Sequence, residues 1–248
     1  MTLNKNIVCI PVINERPNLE ILLEKLSERE YRADILVIDD TSDDGTRELI
    51  SELNLKLGTN QPIFHDYSPA RRGVGNAHKV ALDFAIQNKY RYLCTIDGDL
   101  THDPNYLPIM IKVLDDNPDL DLVIGSRFLT TSRIANWSIF RIFLTHTGHA
   151  LTQIMLGMKE DCSSGLRVYK VSSIPRDLIN EFHMPSYDFF FKSAFLYKKS
   201  NLLIEEIPVS LYERKSGRSK MRFKDMLFGF FGVLLFRIKV SIIQIWFA

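Results

Sequence analysis

Short apolar runs alternate with segments of helical hydrophobic spacing through the first half of the chain. The runs "NIVCIPVI", "DILVIDD", "YRYLCTI" and "LDLVIGS" are typical of buried strands. Between them, "PNLEILLEKLSE", "NAHKVALDFAIQ" and "NYLPIMIKVLDDN" repeat apolar residues at the spacing of amphipathic helices. Strands that alternate with helices form mainly parallel sheets with helices on both faces, so the pattern predicts an α/β fold.

The size and charge of the chain restrict the classes of protein to consider. Its 248 residues suffice for one full core, and no internal repeat or low-complexity linker interrupts the first 220. The 31 basic and 30 acidic residues nearly cancel, which argues against a nucleic-acid partner. Cys9, Cys94 and Cys162 form no CxxC pair, which argues against zinc or a disulfide framework and favours a reducing cytosol. The N-terminus lacks the long apolar region of a signal peptide.

The last part of the chain differs in composition from the rest. The stretch "MLFGFFGVLLF" at 226–236 is uninterrupted apolar sequence, and Arg237 and Lys239 follow it. A membrane-spanning helix needs about 20 apolar residues, so this stretch is too short to span a bilayer. We therefore expect a main domain over 1–221 and a short apolar helical tail over 222–248 that contacts a membrane surface. The alternatives are a core or oligomer helix, or the start of a longer membrane region.

Two aspartates follow the third apolar run, in "TIDGDLTHDP". Asp97 and Asp99 lie on the same side of an extended segment, and two carboxylates that close resist joint ionisation unless a cation compensates them. Hard divalent ions such as Mg²⁺ take oxygen ligands and commonly bind between carboxylates and substrate phosphates. The pair therefore indicates a divalent metal that binds a diphosphate, with a solvated Asp-Gly turn as the alternative.

A second acidic pair ends the second apolar run. Asp39 and Asp40 of "VIDDTSDDGT" lie at the carboxyl end of a predicted strand, where ligands of parallel sheets bind. Carboxylates at such a point accept hydrogen bonds from a ribose hydroxyl or a base N–H. Capping of the following helix by Thr41, Ser42 or Asp43 accounts for part of this polar run.

The segment "ARRGVGNAHKVAL" matches a dinucleotide fingerprint poorly, because His78 stands in place of its last glycine. A loop that enters a helix and offers Arg71 and Arg72 to a phosphate is the better interpretation. We interpret as structural three histidines that have no ligand spacing with the carboxylates: His102, His146 and His149.

Seven segments occur in the order found in inverting family-2 glycosyltransferases: "IPVINERPNLE", "VIDDTSDDGT", "RRGVGNAHKVAL", "TIDGDLTHDP", "VIGSRF", "DCSSGLRVYK" and "IPVSLYERKSGRSKM". Over about residues 6–221 the chain resembles this family, and within it the dolichyl- and polyprenyl-phosphate mannosyl- and glucosyltransferases. The resemblance implies the GT-A fold, a nucleotide-diphospho-sugar-binding α/β domain, in agreement with the alternation of strands and helices.

The resemblance assigns residues to a nucleotide-sugar site and to a metal. Ile13 stands where the family often has an aromatic residue, and Lys192 matches a family lysine only with a short gap. The nucleotide-sugar set is Pro11, Ile13, Glu15, Asp39, Asp40, Asp97, Gly98, Asp99, Lys192, Arg214 and Lys220. The implied ligands of Mg²⁺ or Mn²⁺ are Asp97, Asp99 and Thr101, and Thr101 falls where Gln or Ser is frequent.

The resemblance also assigns an acceptor site and a catalytic set. Arg127, Arg141 and Thr145 match residues that bind the acceptor phosphate, and the catalytic set is Asp99, Arg127 and Asp161. A phosphomonoester has a second pKa of about 6 and is already an anion near neutral pH, so it needs arginines more than a general base. Asp161 is a candidate base or orienting group.

The motifs and the resemblance together imply a metal-dependent enzyme at the cytoplasmic face of a membrane. It would transfer a hexose, with inversion, from a nucleotide sugar to a polyprenyl or dolichyl phosphate; GDP-mannose is the first candidate donor and UDP-glucose the next. One alternative is a family-2 enzyme that glycosylates a sugar hydroxyl in a polysaccharide. Another is a nucleotide-sugar-binding membrane subunit without activity. The sequence carries no signal of an oligomeric state.

Overall fold

The computed structural model describes residues 5–27, 33–57, 61–130, 132–134, 139–180, 186–214, 232 and 234–236. The strands are β1 (Asn6–Val12), β2 (Asp34–Asp40), β3 (Ile63–Ser68), β4 (Tyr92–Thr95), β5 (Leu122–Ser126), β6 (Arg133–Ile134), β7 (Arg167–Lys170), β8 (Ile204–Pro208) and β9 (Ser210–Leu211). The helices are α1 (Arg16–Ser27), α2 (Thr46–Leu57), α3 (Val74–Gln87), α4 (Tyr106–Asp116), α5 (Ile139–Leu156), α6 (Arg176–Asn180) and α7 (Asp188–Lys199).

The main sheet has the strand order β3-β2-β1-β4-β7-β5-β8. β1 pairs in parallel with both β2 and β4, β2 with β3, and β5 with β8, whereas β7 runs antiparallel to β4 and β5. The strand order therefore reverses beside β1, and ligands of open α/β sheets bind in the crevice at such a point. The predicted, mainly parallel sheet is confirmed, with β7 as its antiparallel member.

Apolar side chains cover both faces of this sheet. Along β1, Val8 and Ile10 pack in the cluster that contains α1, α2 and α4, whereas Ile7 and Cys9 pack in the cluster that contains α3, α6 and α7. This alternation follows from the two-residue period of a strand. Because both faces are buried, β2 carries a continuous apolar run and all of its residues are buried. The predicted helices on both faces are confirmed.

A short second sheet brings the chain after β8 to the crevice. β9 pairs with β6, and the backbone of Leu211 forms an antiparallel bridge with His102. The backbone N–H of Tyr212 donates to the carbonyl oxygen of Thr101 at 3.0 Å. These contacts hold the following residues, Arg214 among them, beside the loop that follows β4.

The sequence patterns did not predict β3, β7, β8 or the helices α5 to α7. Cys9, Cys94 and Cys162 are buried free thiols. In the part of the chain that the structure describes, no helix combines the length and the hydropathy that a bilayer crossing requires. The predicted boundary between residues 221 and 222, and most of the tail, lie outside the described residues.

Candidate active site

Acidic residues from the ends of three neighbouring strands line the crevice. Asp39 and Asp40 end β2, Glu15 follows β1, and Asp97 and Asp99 follow β4. β1 lies between β2 and β4 in the sheet, so these three strand ends are adjacent. The fold thus collects at one edge the acidic motifs that the sequence separates.

Asp39 and Asp40 hold the loops around the crevice. Asp39 accepts a hydrogen bond from the Ser42 backbone N–H at 3.0 Å, and its other oxygen lies 3.2 Å from His65 Nε2. Burial raises the pKa of Asp39, but the hydrogen bonds from His65 and Ser42 outweigh burial and bring the pKa below its usual value. Asp40 accepts from the backbone N–H groups of Arg72 at 2.7 Å and Gly73 at 2.9 Å. Asp40 thereby fixes the loop that enters α3.

Asp99 has a fixed side-chain orientation. One carboxylate oxygen accepts from the Thr101 backbone N–H at 3.0 Å and from the Thr101 hydroxyl at 2.7 Å. The other oxygen accepts from the Arg214 guanidinium at 2.6 Å. Thr101, one of the implied metal ligands, directs its hydroxyl to Asp99 in this structure.

Asp97 is the more open of the two carboxylates, with 38% of its side chain exposed. A Cβ atom added to Gly165 would lie 3.0 Å from one oxygen of Asp97 and 3.2 Å from the other, so the glycine leaves room for the carboxylate. Burial and the charge of Asp99 raise the pKa of Asp97 to about 7, although Arg127 and Arg214 act against them. Burial is the largest of these causes, and a cation bound at this carboxylate would favour its charged form.

Arg214 joins two of the strand ends. Its guanidinium donates to Glu15 at 2.7 Å and to Asp99 at 2.6 Å. Glu15 also accepts from the side-chain amide of Asn18 at 2.7 Å, which orients it from the first turn of α1. The two ion pairs bring together three residues of the predicted nucleotide-sugar set.

Arg127 and Asp161 form a buried ion pair. Arg127 Nε donates to Asp161 at 2.8 Å, and the Asp161 side chain is fully buried. Ser163 donates to the second oxygen of Asp161 through its hydroxyl at 2.8 Å. Burial raises the pKa of Asp161, but the charge of Arg127 and the bond from Ser163 outweigh it and lower that pKa. A low pKa and a fully engaged carboxylate favour the orienting role for Asp161 over that of a base.

Sequence analysis missed Arg167, a fully buried arginine on β7. Its guanidinium donates to the carbonyl oxygens of Cys162, Ser164 and Phe190. Among the described residues no carboxylate lies within ion-pair distance of it, so neutral oxygens carry its hydrogen bonds. Arg167 thereby joins the loop that contains Asp161 to α7. The sequence signal was a lone arginine within the motif "SGLRVYK".

The structure also places His102, interpreted above as structural, beside the acidic pair. His102 is 5% exposed, and its Nδ1 lies 3.7 Å from Asp97 Oδ2. Burial and the nearby charge of Arg127 lower the pKa of His102 to about 4. The imidazole is therefore neutral at pH 7. The histidines at 146 and 149 lie against the ring of Phe128.

Pro11, Ile13 and Gly98 form part of the crevice wall. Pro11 lies on β1 and Ile13 directly after it, and both are half-buried. A Cβ atom at Gly98 would lie 2.8 Å from Val12 Cγ1, so the loop after β4 passes close to β1 only because residue 98 has no side chain.

The structure does not connect every predicted residue with the acidic pair. Lys192 on α7 donates to Asp188 at 2.6 Å and lies 5.7 Å from the ring of Phe236. Thr145 is half-buried on α5, and Arg141 belongs to the same helix, but the side chain of Arg141 lies outside the described part. Lys220 also lies outside the described residues.

Asp97 and Asp99 suit a hard divalent ion in their chemistry. Both offer carboxylate oxygens, and a bound cation would favour the charged form of Asp97 against the burial and the like charge of Asp99 that raise its pKa. Within the described ranges, no group of three or more His, Cys, Asp or Glu side chains is arranged to hold an ion by itself. The two carboxylates therefore fit a hard ion that completes its coordination with ligands other than these side chains.

Comparison with known proteins gives the following relatives. A family model described as glycosyl transferase family 2 matches residues 7–179. A polyprenol monophosphomannose synthase from Mycolicibacterium smegmatis is 29% identical over 218 residues, which are 88% of this chain and 81% of that protein. An undecaprenyl-phosphate mannosyltransferase from Micrococcus luteus is 27% identical over 213 residues, which are 86% of this chain and 85% of that protein.

The fold is shared with solved structures. Glucosyl-3-phosphoglycerate synthase from Mycobacterium tuberculosis, in complex with Mn²⁺, uridine-diphosphate and phosphoglyceric acid, gives a TM-score of 0.65 at 17% identity, over 94% of this chain and 78% of that chain. The same synthase with Mn²⁺ and uridine-diphosphate-glucose gives a TM-score of 0.63 at 17% identity, over the same shares. The likeness confirms the predicted GT-A architecture. Since the family model matches most of the chain, and the crevice holds the acidic pairs expected there, this chain belongs to glycosyltransferase family 2.

Proposed function

We propose that this chain transfers a hexose from a nucleotide sugar to a polyprenyl phosphate, with a divalent cation bound by Asp97 and Asp99. The observation that carries the proposal is the arrangement of opposite charges in one crevice. Asp97 and Asp99 provide negative charge for a cation, and Arg127, oriented by Asp161, provides positive charge for an anionic acceptor. The names of the two mannosyltransferase relatives support the choice of acceptor.

The donor half of the reaction expels a nucleoside diphosphate. A divalent cation on Asp97 and Asp99 would supply positive charge that neutralises the departing diphosphate. Arg214 adds a cation of the protein itself, because it lies against Asp99. Glu15, Asp39 and Asp40 are the carboxylates that we assign to the nucleoside.

The acceptor half of the reaction needs an anion to approach another anion. A lipid phosphate is already deprotonated near neutral pH, so no side chain has to remove a proton from it. Arg127 offers a guanidinium for the phosphate while Asp161 holds its Nε, and Arg141 and Thr145 of α5 are the further residues that we assign to the acceptor. A sugar hydroxyl would instead require a base, and the environment of Asp161 does not favour that role.

The stereochemistry follows from a single displacement. A phosphate oxygen of the acceptor attacks the anomeric carbon from the face opposite the diphosphate, the new C–O bond forms as the old one breaks, and the diphosphate leaves with the bonding pair. An α-linked donor then gives a β-linked product. We propose GDP-mannose as the donor and UDP-glucose as the second candidate; the names of the relatives support mannose as the sugar.

We further propose that the enzyme works at the cytoplasmic face of a membrane. The face of α5 that carries Ile139, Phe143 and Ile154 supports contact with a membrane surface, since these apolar side chains are 86%, 64% and 80% exposed. They lie on one side of the helix, because their positions differ by nearly whole numbers of turns. Replacement of Phe143 and Ile154 by serine should reduce cosedimentation with phospholipid vesicles without loss of thermal stability.

The decisive experiment incubates the purified protein with Mn²⁺ or Mg²⁺, a polyprenyl phosphate and either GDP-mannose or UDP-glucose, and examines the lipid by mass spectrometry. The proposal requires a lipid that gains one hexose, β-linked by NMR, and no gain in the Asp97→Asn/Asp99→Asn variant. Transfer of the hexose only to a saccharide hydroxyl would contradict a lipid acceptor and support the alternative of an enzyme that acts on a polysaccharide. Donor binding without any transfer would instead support the inactive binding subunit.

A further inference from the structure

His102 has no assigned role in the proposed reaction, yet it lies against one of the two carboxylates that we assign to a metal. Its Nδ1 is 3.7 Å from Asp97 Oδ2. We propose that His102 is a positioning residue, whose imidazole N–H donates to the Asp97 carboxylate when that carboxylate binds a cation, and so fixes its orientation. The inference rests on the proposed function, because it takes Asp97 as a metal ligand.

The imidazole of His102 is buried and has no hydrogen-bond partner among the described residues. It is 5% exposed, and no donor or acceptor in the described part of the chain lies within hydrogen-bond distance of either ring nitrogen. Buried polar groups in folded proteins are nearly always hydrogen-bonded, and an exception calls for an explanation. A partner that moves into place when a ligand binds provides one, and Asp97 carries the nearest carboxylate recorded for this ring.

The two aspartates differ in how they are held. Asp99 accepts two hydrogen bonds from Thr101 and one from Arg214, so its orientation is set before any ligand arrives. Among the described residues no hydrogen bond reaches Asp97, and His102 is its recorded neighbour at ion-pair distance. A pair of metal ligands needs both members oriented, and carboxylates that bind metals are themselves usually hydrogen-bonded by a neighbouring group. His102 can supply the donor that Asp97 lacks.

The backbone fixes His102, whereas Asp97 has room to move. The backbone of His102 forms a bridge with Leu211 of β9, and the carbonyl oxygen of Thr101 accepts a hydrogen bond from the Tyr212 N–H. The backbone segment that carries the imidazole is therefore held by the segment 211–212. Asp97 is 38% exposed and faces the space beside Gly165. The 3.7 Å separation exceeds a hydrogen bond, and a shift of the carboxylate of less than about 1 Å would close it.

The placement of the ring favours positioning over direct metal binding. The imidazole side chain is 4% exposed, whereas that of Asp97 is 38% exposed, so the ring lies on the protein side of the carboxylate and the open side faces the crevice. A neutral imidazole has one donor and one acceptor, and donation from Nδ1 leaves the outer carboxylate lone pairs for a cation. The hard ions that we propose also prefer oxygen ligands.

The test measures the binding of Mn²⁺ alone, from the EPR signal of the free ion, in four proteins. These are the wild type, His102→Leu, His102→Asn and His78→Leu. His78 is the matched control, because it is equally buried and its ring nitrogens also lack partners, but it lies against Phe189 and Phe190 in the core. We expect His102→Leu to weaken Mn²⁺ binding about 10- to 100-fold, and His78→Leu to leave it unchanged. His102→Asn keeps an N–H donor and should recover most of the affinity.

A measurement on the wild type does not depend on whether a variant folds. Titration of ¹⁵N-histidine-labelled protein with Mg²⁺ should shift the Nδ1 resonance of His102 as its hydrogen bond forms, while His78 stays unchanged. The inference is overturned if His102→Leu folds and binds Mn²⁺ within twofold of the wild type. It is also overturned if the asparagine fails to restore binding, if the Nδ1 resonance does not move, or if pulsed EPR detects a ¹⁴N nucleus bonded to Mn²⁺.

These outcomes separate the inference from the proposed function. Neither the Mn²⁺-binding nor the NMR measurement uses a lipid or a donor sugar, so a failure to transfer a hexose would contradict the proposed reaction and leave the role of His102 intact. Conversely, an unchanged Mn²⁺ affinity in His102→Leu, together with normal hexose transfer, would remove His102 from the site and leave the proposed reaction intact.

Discussion

Arg214 donates to Asp99 across 2.6 Å, and its other terminal nitrogen donates to Glu15 across 2.7 Å. The guanidinium is therefore a cation of the protein itself at a carboxylate that we assign to a metal. A divalent ion that approaches this oxygen of Asp99 meets a like charge there, so Arg214 and the ion compete for it. A bound diphosphate removes the competition, because it offers the guanidinium an alternative anion.

The first prediction is that Arg214→Gln binds Mn²⁺ alone more tightly than the wild type, by about three- to tenfold, since the competing charge is gone. The same variant should bind a nucleoside diphosphate more weakly in the presence of Mn²⁺. Isothermal titration calorimetry measures both affinities. Arg91→Gln is the control, because Arg91 pairs with Asp115, which lies outside the acidic crevice. Weaker binding of Mn²⁺ alone by Arg214→Gln would contradict the competition.

The second prediction concerns the buried pair of Arg127 and Asp161. Asp161→Asn removes the anionic partner of Arg127, whose side chain is little exposed, so the free energy of unfolding should fall by about 3–5 kcal/mol. Replacing Arg127 by glutamine as well should restore part of that loss, and it should not restore hexose transfer. Urea denaturation checks the stability of both variants, and Asp116→Asn, at an exposed pair, should show no measurable change. A double variant that is no more stable than Asp161→Asn would argue against the coupling.

The third prediction is a pH dependence of stability that originates at His78. Burial and the charge of Arg167 lower the pKa of His78 from 6.5 to about 3, so the folded protein keeps this ring neutral. Below pH 6.5 the unfolded chain gains a proton that the folded chain does not, and stability falls by about 1.4 kcal/mol per pH unit until the folded value is reached. Relative to the wild type, His78→Leu should therefore gain about 2 kcal/mol between pH 7.5 and pH 5.

Urea denaturation of both proteins at the two pH values isolates this effect. The other titrating groups are present in both proteins and cancel in the difference. If the wild type and His78→Leu lose the same free energy of unfolding between the two pH values, the prediction is wrong. The His78 ring would then be protonated in the folded protein or would have a hydrogen-bond partner there.

The strands that sequence patterns predicted are those with local signals. Both faces are covered in β1, β2, β4 and β5, so these strands carry continuous apolar runs. Such a run is recognisable in the sequence without knowledge of the strands and helices that pack against it. β3 lies at the edge of the sheet and most of its residues are half-buried, polar ones among them, and β7 begins with the buried Arg167. The partners of Arg167 come from α7 and from the preceding loop, and no local pattern reveals them.

The candidate site was predictable to a similar extent. The acidic pairs follow apolar runs, so their place at adjacent strand ends follows from the fold class. The burial of His102 does not, because β9 covers it from a point more than a hundred residues later in the chain. Nor does the ion pair between Arg127 and Asp161, since either residue alone resembles an ordinary charged residue at a loop.

The last prediction uses Gly165, which faces Asp97. In Gly165→Ala the new methyl would lie 3.0–3.2 Å from the carboxylate oxygens, so the carboxylate must shift. Because the carboxylate is displaced, we expect Mn²⁺ affinity and hexose transfer to fall about tenfold. The free energy of unfolding should change little, since no apolar contact is lost. Gly148→Ala is the control, because no atom of the described residues outside the adjoining helix backbone lies within 4 Å of the added Cβ. This variant should be more stable by about 0.5–1 kcal/mol, since alanine favours the α5 helix over glycine, and its Mn²⁺ affinity should be unchanged. Equal Mn²⁺ affinity in the two variants would contradict an Asp97 carboxylate that binds the ion beside Gly165.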